Sequence, residues 1–468
     1  MSLTAIATAP AAAAVAQESY LPPLLPVIGA ELEAPLVQGG TLQYAGLDVA
    51  ASAPALVSVV ERITATLPYY SNVHRGAGFA SQVSTDLYES SRLTIAGFFG
   101  ARPDDVTVIV RNTTDALNLL SSCLPEGASV VHLDIEHHAN LLPWRSRSPR
   151  TVAAQPTIAA TLAALEHEIA SAPTALLAIT GASNVTGETL PLADLAVIAH
   201  RHGARIVVDA AQLAPHRRID IAALDLDYIA VSGHKLYAPF GAGALIGRAD
   251  WLNAAPPHLA GGGAVHEVSD AAVRWAPAPA RHEAGTPNVM GAIALAQACA
   301  SLAALPAQAH HDHEVALLAR LEAGLATIPG LQTIRIWADA PDRLATTSFV
   351  IAGQDSSRLA TILAAEHGIG VRDGRFCAHP LLARYSPTGT AVRVSLGAGT
   401  HSGHVDRLVQ ALRTIVADGP AWDYTCAAGG WTPCPETRNL NPFGLETTDT
   451  VTHGSPCEAI ADECGPLA

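Results

Sequence analysis

One lysine and one aspartate are the residues of this sequence that most directly predict a chemical function. Lys235 is the only lysine in the chain, although lysine and arginine together number 27. A primary amine can lose its proton when it is desolvated and then form a Schiff base with an aldehyde, whereas a guanidinium cannot. We therefore interpret Lys235 as a functional residue rather than an ordinary surface lysine.

Both residues follow short apolar segments that are typical of buried strands. Residues 206–208 form a β-branched run that ends at Asp209, and residues 227–233 lead into His234 and Lys235. Ligands in open α/β sheets bind outside the carboxyl ends of the strands, so neighbouring strand ends can bring a carboxylate and an amine together. This pair suits pyridoxal 5'-phosphate, because the amine can hold its aldehyde as an imine and the carboxylate can keep its ring nitrogen protonated.

Further segments in the same order along the chain resemble a known family. They are Leu47–Pro54, Asn72–Gly76, Arg111–Asn118, Glu136–Trp144, Ser183–Gly187, Asp209–Gln212, Ser232–Lys235, Glu283–Asn288, Val371–Leu381 and Arg393–Leu396. The series resembles the class V branch of the fold-type I pyridoxal-phosphate enzymes, and most closely the SufS-type cysteine desulfurases and selenocysteine lyases. The resemblance extends from about residue 44 to about residue 412.

The resemblance implies an α/β fold of the aspartate aminotransferase-like, fold-type I transferase class. It has a large, mainly parallel-sheet domain and a smaller α+β C-terminal domain. Between about residues 55 and 305, short apolar strands alternate with helical stretches, which also predicts a parallel sheet built from βαβ units. We divide the chain into an Ala/Pro-rich extension (1–40), a large cofactor-binding domain (41–305), a small domain (306–418) and a Cys-containing acidic tail (419–468). We expect the tail to be irregular, because it is rich in Pro, Gly and Thr and shows little periodicity.

Residue by residue, the resemblance assigns roles in the site. The catalytic residues would be Lys235, Asp209, Cys377 and His137, which would stack on the cofactor ring. The cofactor-binding residues would be Thr113, Thr114, His137, Asn184, Asp209, Gln212, Ser232, His234, Lys235 and Thr286. The substrate-binding residues would be Arg393, Asn184 and Arg372, since an arginine fork binds a carboxylate well. Thr286 would reach the cofactor phosphate of the other subunit, which implies a homodimer.

Cys377 distinguishes between the reactions that this cofactor supports. Removal of sulfur from an amino acid requires a thiolate that attacks the substrate sulfur, and Cys377 lies where the resembled desulfurases have this nucleophile. Arg372, Arg375 and His379 lie in the same segment and offer positive charges that favour a thiolate. We therefore predict a cysteine desulfurase that converts L-cysteine to L-alanine and leaves a persulfide on Cys377, with selenocysteine as another possible substrate.

Two other readings of the sequence stay open. One is a different class V enzyme of secondary metabolism, a C–S β-lyase, an epimerase or an aminotransferase, in which Cys377 takes no part. The other is a non-catalytic protein that binds a sulfur acceptor, which would itself be a protein or a small molecule. Phe376 and the residues after Gly76 depart from the family pattern, since relatives often have histidine at these places.

The composition of the chain narrows the classes of partner that it can have. The net charge of −15 argues against nucleic acid as a partner, and the chain has no apolar run long enough for a membrane span. The first basic residue is Arg62, so the N-terminus lacks the positive region of a signal peptide, and we expect a cytoplasmic protein. The tail contains Cys426, Cys434, Cys457 and Cys464, whose spacing matches no standard zinc pattern, so we predict no metal site and assign these residues no role.

Overall fold

The computed structural model describes residues 20–340, 342–427 and 430–444. The helices are α1 (Val57–Thr66), α2 (Phe79–Phe98), α3 (Thr113–Cys123), α4 (Ile158–Ser171), α5 (Leu192–Arg201), α6 (Ala249–Ala254), α7 (Val289–Ala304), α8 (Ala307–Leu325), α9 (Ser356–His367), α10 (His379–Tyr385) and α11 (Ser402–Asp418). Short 3₁₀ helices span Leu67–Tyr69, His138–Asn140, Leu142–Ser146 and Ala280–His282.

The strands fall into one large sheet, one smaller sheet and several two-stranded pairs. They are β1 (Glu33–Pro35), β2 (Thr41–Gln43), β3 (Ala45–Gly46), β4 (Asp105–Val110), β5 (Val130–Leu133), β6 (Arg150–Val152), β7 (Leu176–Thr180), β8 (Arg205–Asp209), β9 (Tyr228–Ser232), β10 (Gly243–Arg248), β11 (Val265–Val268), β12 (Val273–Trp275), β13 (Leu331–Thr333), β14 (Thr346–Ile351), β15 (Ile369–Gly370), β16 (Arg372–Gly374), β17 (Ala391–Ser395), β18 (Tyr424–Ala427) and β19 (Gly430–Pro433).

A seven-stranded sheet forms the centre of the large domain, with strand order β4-β10-β9-β8-β7-β5-β6. The strands from β9 to β6 are parallel, and β10 is antiparallel to both of its neighbours, β9 and β4. Consequently β4 runs in the same direction as the parallel strands, and its carboxyl end lies at the same edge of the sheet as theirs. β7 and β9 are buried along their whole length, as expected for strands of a sheet that is covered on both faces.

The small domain has its own antiparallel sheet and its own apolar core. The strand order is β13-β14-β17-β16. The core combines side chains of this sheet with side chains of α8, α9 and α11, for example Leu321, Phe349, Leu363, Val394 and Leu412. This sheet matters for the site because β17 and the segment after β16 carry Arg393 and Cys377. The predicted boundaries of the domains stay predictions.

The prediction of irregular structure after residue 419 is wrong for part of the tail. Strands β18 and β19 form a hairpin, and the Arg358 guanidinium of α9 lies 5.4 Å from the centroid of the Trp431 ring. Glu366, at the end of α9, is 6% exposed and accepts hydrogen bonds from the Ala421 N–H and the Tyr424 hydroxyl, both at 2.9 Å. A lone hairpin is marginally stable in water, so these contacts with α9 stabilise it, and no local periodicity reveals them.

The cysteines of the tail differ in state. Cys426 is disulfide-bonded, whereas Cys434 is an exposed free thiol. Cys457 and Cys464 lie outside the described residues.

Among the described helices, no single one is both long and apolar enough to cross a bilayer. α7 and residues Gln308–Leu325 of α8 reach that length and composition only together, as a pair bent by 89°.

Candidate active site

A cavity of about 230 Å³ lies where the carboxyl ends of the large sheet face the small domain. The predicted site residues that line it are Thr113, Thr114, His137, Asn184, Asp209, Gln212, Ser232, His234, Lys235, Arg372, Cys377 and Arg393. Thr286 does not line this cavity; it is exposed on a turn between Gly285 and Pro287. The fold therefore brings together every predicted site residue except the one that was expected to act on a partner subunit.

The aspartate and the lysine come from adjacent parallel strands. Asp209 ends β8, is 4% exposed, and its Oδ1 accepts a hydrogen bond from the Ala211 N–H at 3.0 Å. Lys235 follows β9, where its backbone N–H donates to the Ser232 carbonyl at 3.2 Å. Burial lowers the pKa of the Lys235 amine, and the carboxylate of Asp209 partly opposes this shift. A lowered pKa favours the neutral amine that an aldehyde requires.

The N-terminus of α3 forms the end of the cavity next to β4 and β9. Asn112 caps this helix, since its side-chain oxygen accepts from the Asp115 N–H at 3.0 Å. The Ser232 hydroxyl oxygen accepts from the Thr113 N–H at 2.8 Å and lies 2.8 Å from the Thr113 hydroxyl oxygen. A helix N-terminus with neighbouring hydroxyl groups favours an anion such as a phosphate.

His137 follows β5 and lies on another side of the cavity. Its Nδ1 accepts a hydrogen bond from the Ala139 N–H at 3.0 Å, so the proton of the neutral ring is on Nε2. Burial, and then the positive charge of Lys235, lower the pKa of His137 to about 3. The imidazole is therefore neutral near pH 7, which suits a ring that stacks on a cofactor and exchanges a proton through Nε2.

Glu136, which precedes His137, is a fully buried carboxyl group, and sequence reasoning gave it no role. Its Oε1 accepts from the Thr180 N–H at 3.1 Å, and its Oε2 accepts from the Asn140 side-chain amide at 2.8 Å. Burial raises the pKa of Glu136 to about 8, and the nearby carboxylate of Asp209 contributes to this rise. Only tertiary structure reveals this arrangement, because the motif Glu136–Trp144 does not show which of its residues are buried.

The segment that carries Cys377 has an unusual backbone. Phe376 and Cys377 have φ values of 50° and 51°, in the left-handed region that residues other than glycine rarely adopt. The large domain binds both of their carbonyl groups: the Asn184 side-chain amide donates to the Phe376 carbonyl at 2.8 Å, and the His138 N–H donates to the Cys377 carbonyl at 2.9 Å. These two hydrogen bonds attach the nucleophile segment to the large domain.

Arg393 lies on β17 and is 3% exposed. One of its Nη groups donates to the Asn184 backbone carbonyl at 3.0 Å, and the other donates to Asp48 Oδ1 at 2.7 Å. The Phe376 ring centroid lies 5.1 Å from the guanidinium carbon, while the buried Nε has no hydrogen-bond partner. Because Arg393 lines the cavity, this N–H is available to a polar group of a ligand.

Sequence reasoning missed Asp48, although it stands in the segment Leu47–Pro54 that contributes to the resemblance. A general signal did exist, because a buried arginine requires a carboxylate partner. That signal does not say which of the 42 acidic residues is the partner.

The residues of the cavity fit pyridoxal phosphate. Lys235 offers a buried amine for the aldehyde, Asp209 a buried carboxyl group for the ring nitrogen, and His137 a neutral ring for stacking. The N-terminus of α3 with Ser232 offers hydrogen-bond donors for the phosphate. Nothing comparable favours a metal: across the described residues, no group of three or more His, Cys, Asp or Glu side chains is placed to hold one.

Comparisons with known proteins agree with this site. A family model described as aminotransferase class-V matches residues 45–408. The chain belongs to this family. It is 37% identical over 368 residues to a probable cysteine desulfurase of Xylella fastidiosa, a match that covers 75% of this chain and 87% of the relative. A probable cysteine desulfurase of Vibrio cholerae is 36% identical over 396 residues, which cover 81% of this chain and 95% of the relative.

Solved structures give the same result. The cysteine desulfurase CsdA of Escherichia coli superposes with a TM-score of 0.69 at 34% identity, covering 79% of this chain and 94% of that chain. The expected fold-type I architecture and the expected pyridoxal-phosphate cofactor are confirmed by this family membership. The comparisons do not test the roles of individual side chains, and these roles stay predictions.

Proposed function

We propose that this protein is a pyridoxal-phosphate-dependent cysteine desulfurase that converts L-cysteine to L-alanine and leaves the sulfur as a persulfide on Cys377. The observation that supports this most strongly is that Cys377 lines the same cavity as Lys235 and Arg393. A nucleophile, a proton acceptor and a carboxylate receptor can therefore reach one small substrate. The identities of 36–37% to desulfurases also support it.

Each functional side chain of the cavity has a separate role in the reaction. Bound pyridoxal phosphate supplies an electron sink that labilises the Cα proton of the substrate. Arg393 binds the substrate carboxylate, and the Lys235 amine removes the Cα proton. Asp209 would keep the ring nitrogen of the cofactor protonated. His137 donates or accepts a proton through Nε2.

Sulfur transfer requires Cys377. Its thiolate attacks the substrate sulfur, a sulfur–sulfur bond forms, and the Cβ–S bond breaks. The electron pair of that bond stays with the substrate carbon, which takes up a proton and becomes the methyl group of alanine. The balance is one cysteine plus one thiol on the protein, giving one alanine plus one persulfide on the protein.

Product analysis tests this reaction directly. Purified protein is incubated with L-cysteine, with and without an added reducing thiol. Without it, alanine should form in an amount comparable to the amount of protein; with it, the persulfide is discharged and alanine and sulfide should both form continuously. Mass spectrometry should locate an additional sulfur atom on Cys377. If sulfide and pyruvate form instead of alanine, the protein is a C–S β-lyase and this proposal is wrong.

We propose L-selenocysteine as a second substrate and a sulfur acceptor as the physiological partner. The same amine and carboxylate receptors fit selenocysteine, and its carbon–selenium bond is weaker than a carbon–sulfur bond. Rates with the two amino acids at equal concentration, measured as alanine, test this. A Cys377→Ala variant should lose the cysteine reaction more completely than the selenocysteine reaction.

We also propose a homodimer in which Thr286 binds the phosphate of the cofactor in the opposite subunit. Two facts support this: Thr286 is exposed on its own subunit, and it does not line its own cavity. A mixture of Lys235→Ala and Thr286→Ala subunits tests it. In a hybrid dimer one site would combine both defects and the other would have neither, so activity should reappear. Hybrids that stay inactive, or a monomer that is active, would contradict the proposal.

A further inference from the structure

Asp48 forms an ion pair with Arg393, which lines the active-site cavity. Asp48 Oδ1 is 2.7 Å from an Nη of Arg393, and the two side chains are 26% and 4% exposed. Burial lowers the pKa of Arg393, and Asp48 opposes this shift through its charge and its hydrogen bond. A buried guanidinium without a counter-ion is strongly destabilised, so Asp48 stabilises the charged arginine before any substrate arrives.

Hydrogen bonds with Ser395 of β17 fix the position of Asp48. The Ser395 N–H donates to the Leu47 carbonyl at 2.8 Å, and the Ala50 N–H donates to the Ser395 hydroxyl at 2.9 Å. Asp48 itself forms a parallel bridge with Ser395. The carboxylate of Asp48 is therefore held next to the strand that carries Arg393.

Arg393 retains hydrogen-bonding capacity after these contacts are made. The Asn184 carbonyl and Asp48 each accept one hydrogen from a different Nη, and Nε has no partner. The Nε–H and one hydrogen on each Nη are thus not used by these contacts. A carboxylate takes two parallel N–H bonds from such a fork, provided the fork keeps its orientation.

We propose that Asp48 is a positioning residue, which holds the Arg393 guanidinium in the orientation that receives the α-carboxylate of the substrate. The inference rests on the proposed function, since it requires an amino-acid substrate. Arginine has many rotamers, and a side chain that is ordered in advance does not have to be ordered on binding. Asp48 acts through Arg393, so its loss should weaken the binding of ligands with a carboxylate and spare ligands without one.

A pair of ligands tests this selectivity. L-alanine and ethylamine both have an amine, but only L-alanine has a carboxylate. Their dissociation constants are measured with the holoenzyme by titration of the cofactor absorbance, for the parent protein and for Asp48→Ala, Asp48→Asn and Asp406→Ala. Asp406 is the control, because it forms an ion pair with Arg320, at 2.6 Å, and Arg320 does not line the cavity.

The expected results follow from the loss of one charged hydrogen bond. In Asp48→Ala the dissociation constant of L-alanine and the KM for L-cysteine should rise by about 10–100-fold, while that of ethylamine changes by less than about threefold. kcat at saturating cysteine should fall much less than KM rises. Asp48→Asn keeps an oxygen that accepts from Nη and should lie between the parent and Asp48→Ala. Asp406→Ala should behave like the parent.

Several outcomes would overturn the inference. One is an equal rise of both dissociation constants, which indicates a general structural defect; another is an unchanged L-alanine constant in both Asp48 variants. Failure of the proposed function looks different, because the parent protein itself would then form no alanine from cysteine. If Asp48→Ala does not retain cofactor, the test uses Asp48→Asn instead. A dissociation constant of L-alanine for Asp48→Asn that equals the value for Asp406→Ala would then reject the inference.

Discussion

The large domain and the small domain position their reactive groups in different ways. Asp209, Lys235 and His137 lie at or just after the carboxyl ends of regular strands, where backbone hydrogen bonds hold the chain. Cys377 lies in a left-handed segment between β16 and α10, and its position depends on hydrogen bonds from the large domain to two backbone carbonyls. The first arrangement is built from local structure, whereas the second exists only when the two domains are in contact.

This difference separates cofactor chemistry from substrate chemistry. The groups of the large domain suit the binding of pyridoxal phosphate and the removal of a proton, steps that many reactions of this cofactor share. The small domain adds Cys377 and Arg393, which act on the sulfur and the carboxylate of one kind of substrate. Substitutions in the large domain should therefore impair cofactor binding and proton removal, whereas substitutions in the small domain should impair the steps that act on the substrate's sulfur and carboxylate.

The largest effect should follow from Lys235→Ala. No other lysine exists to replace it, so we expect no pyridoxyl group on the protein after borohydride reduction and a loss of turnover on the order of 10⁴-fold or more. Lys235→Arg should not restore activity, because a guanidinium stays protonated. Mass spectrometry of the reduced protein and an alanine assay measure both effects. Substantial turnover in Lys235→Ala would remove the basis for assigning the cofactor chemistry to Lys235 and the large domain.

Cys377→Ser should impair the transfer of sulfur and leave the binding of cofactor and substrate unchanged. Cofactor absorbance and the affinity for L-alanine should match the parent, whereas alanine formation from L-cysteine should fall by roughly 10³-fold or more, as for loss of a catalytic nucleophile. Cys434→Ser is the matched control, since Cys434 is an exposed free thiol that does not line the cavity. Equal rates for the two variants would show that the small domain does not supply the nucleophile.

Asn184→Ala tests the contact between the large domain and the segment that carries Cys377. The substitution removes the side-chain donor to the Phe376 carbonyl but keeps the backbone carbonyl that binds Arg393. We expect kcat for desulfuration to fall by about 10-fold, because a buried carbonyl loses its partner and the nucleophile segment is less well held. KM should change less. Asn253→Ala is the control, because the Asn253 side chain binds the Ala278 N–H outside the cavity. A KM effect without a kcat effect would assign Asn184 to substrate binding instead.

Glu136→Gln should have the smallest effect, and it should appear in stability rather than activity. The pKa of Glu136 is raised from 4.5 to about 8 in the folded protein, so the folded state binds the proton more tightly than the unfolded state. The stabilisation is complete below about pH 4.5 and is lost as pH rises through 8. Between these values the free energy of unfolding falls by at most about 1.4 kcal/mol per pH unit.

Thermal unfolding at pH 5.5 and pH 8.5 measures this dependence. The parent protein should lose more stability between the two values than Glu136→Gln, which cannot titrate at this position, and turnover of the variant should stay within about threefold of the parent. Identical pH profiles of the two proteins would show that Glu136 is ionised in the folded state, contrary to the effect expected from its burial.

Local sequence was sufficient for Lys235 and Asp209, two reactive groups of the large domain. A single lysine and an aspartate after an apolar run each indicate a function, because strand ends are set by residues close in sequence. The resemblance supplied the other site residues, among them His137, Cys377 and Arg393, and the order of the domains. These predictions needed no knowledge of which distant segments touch.

Tertiary structure decided how these groups are held. Asp48 and Arg393 are 345 positions apart, and Asn184 and Phe376 are 192 apart, so no periodicity or spacing links them. The burial of Glu136 and the hairpin β18–β19 likewise depend on what packs against them. Hydrogen bonds and ion pairs of this kind form only after the two domains have folded against each other, and burial then determines their strength, because removing water strengthens a partnered charge and penalises an unpartnered one.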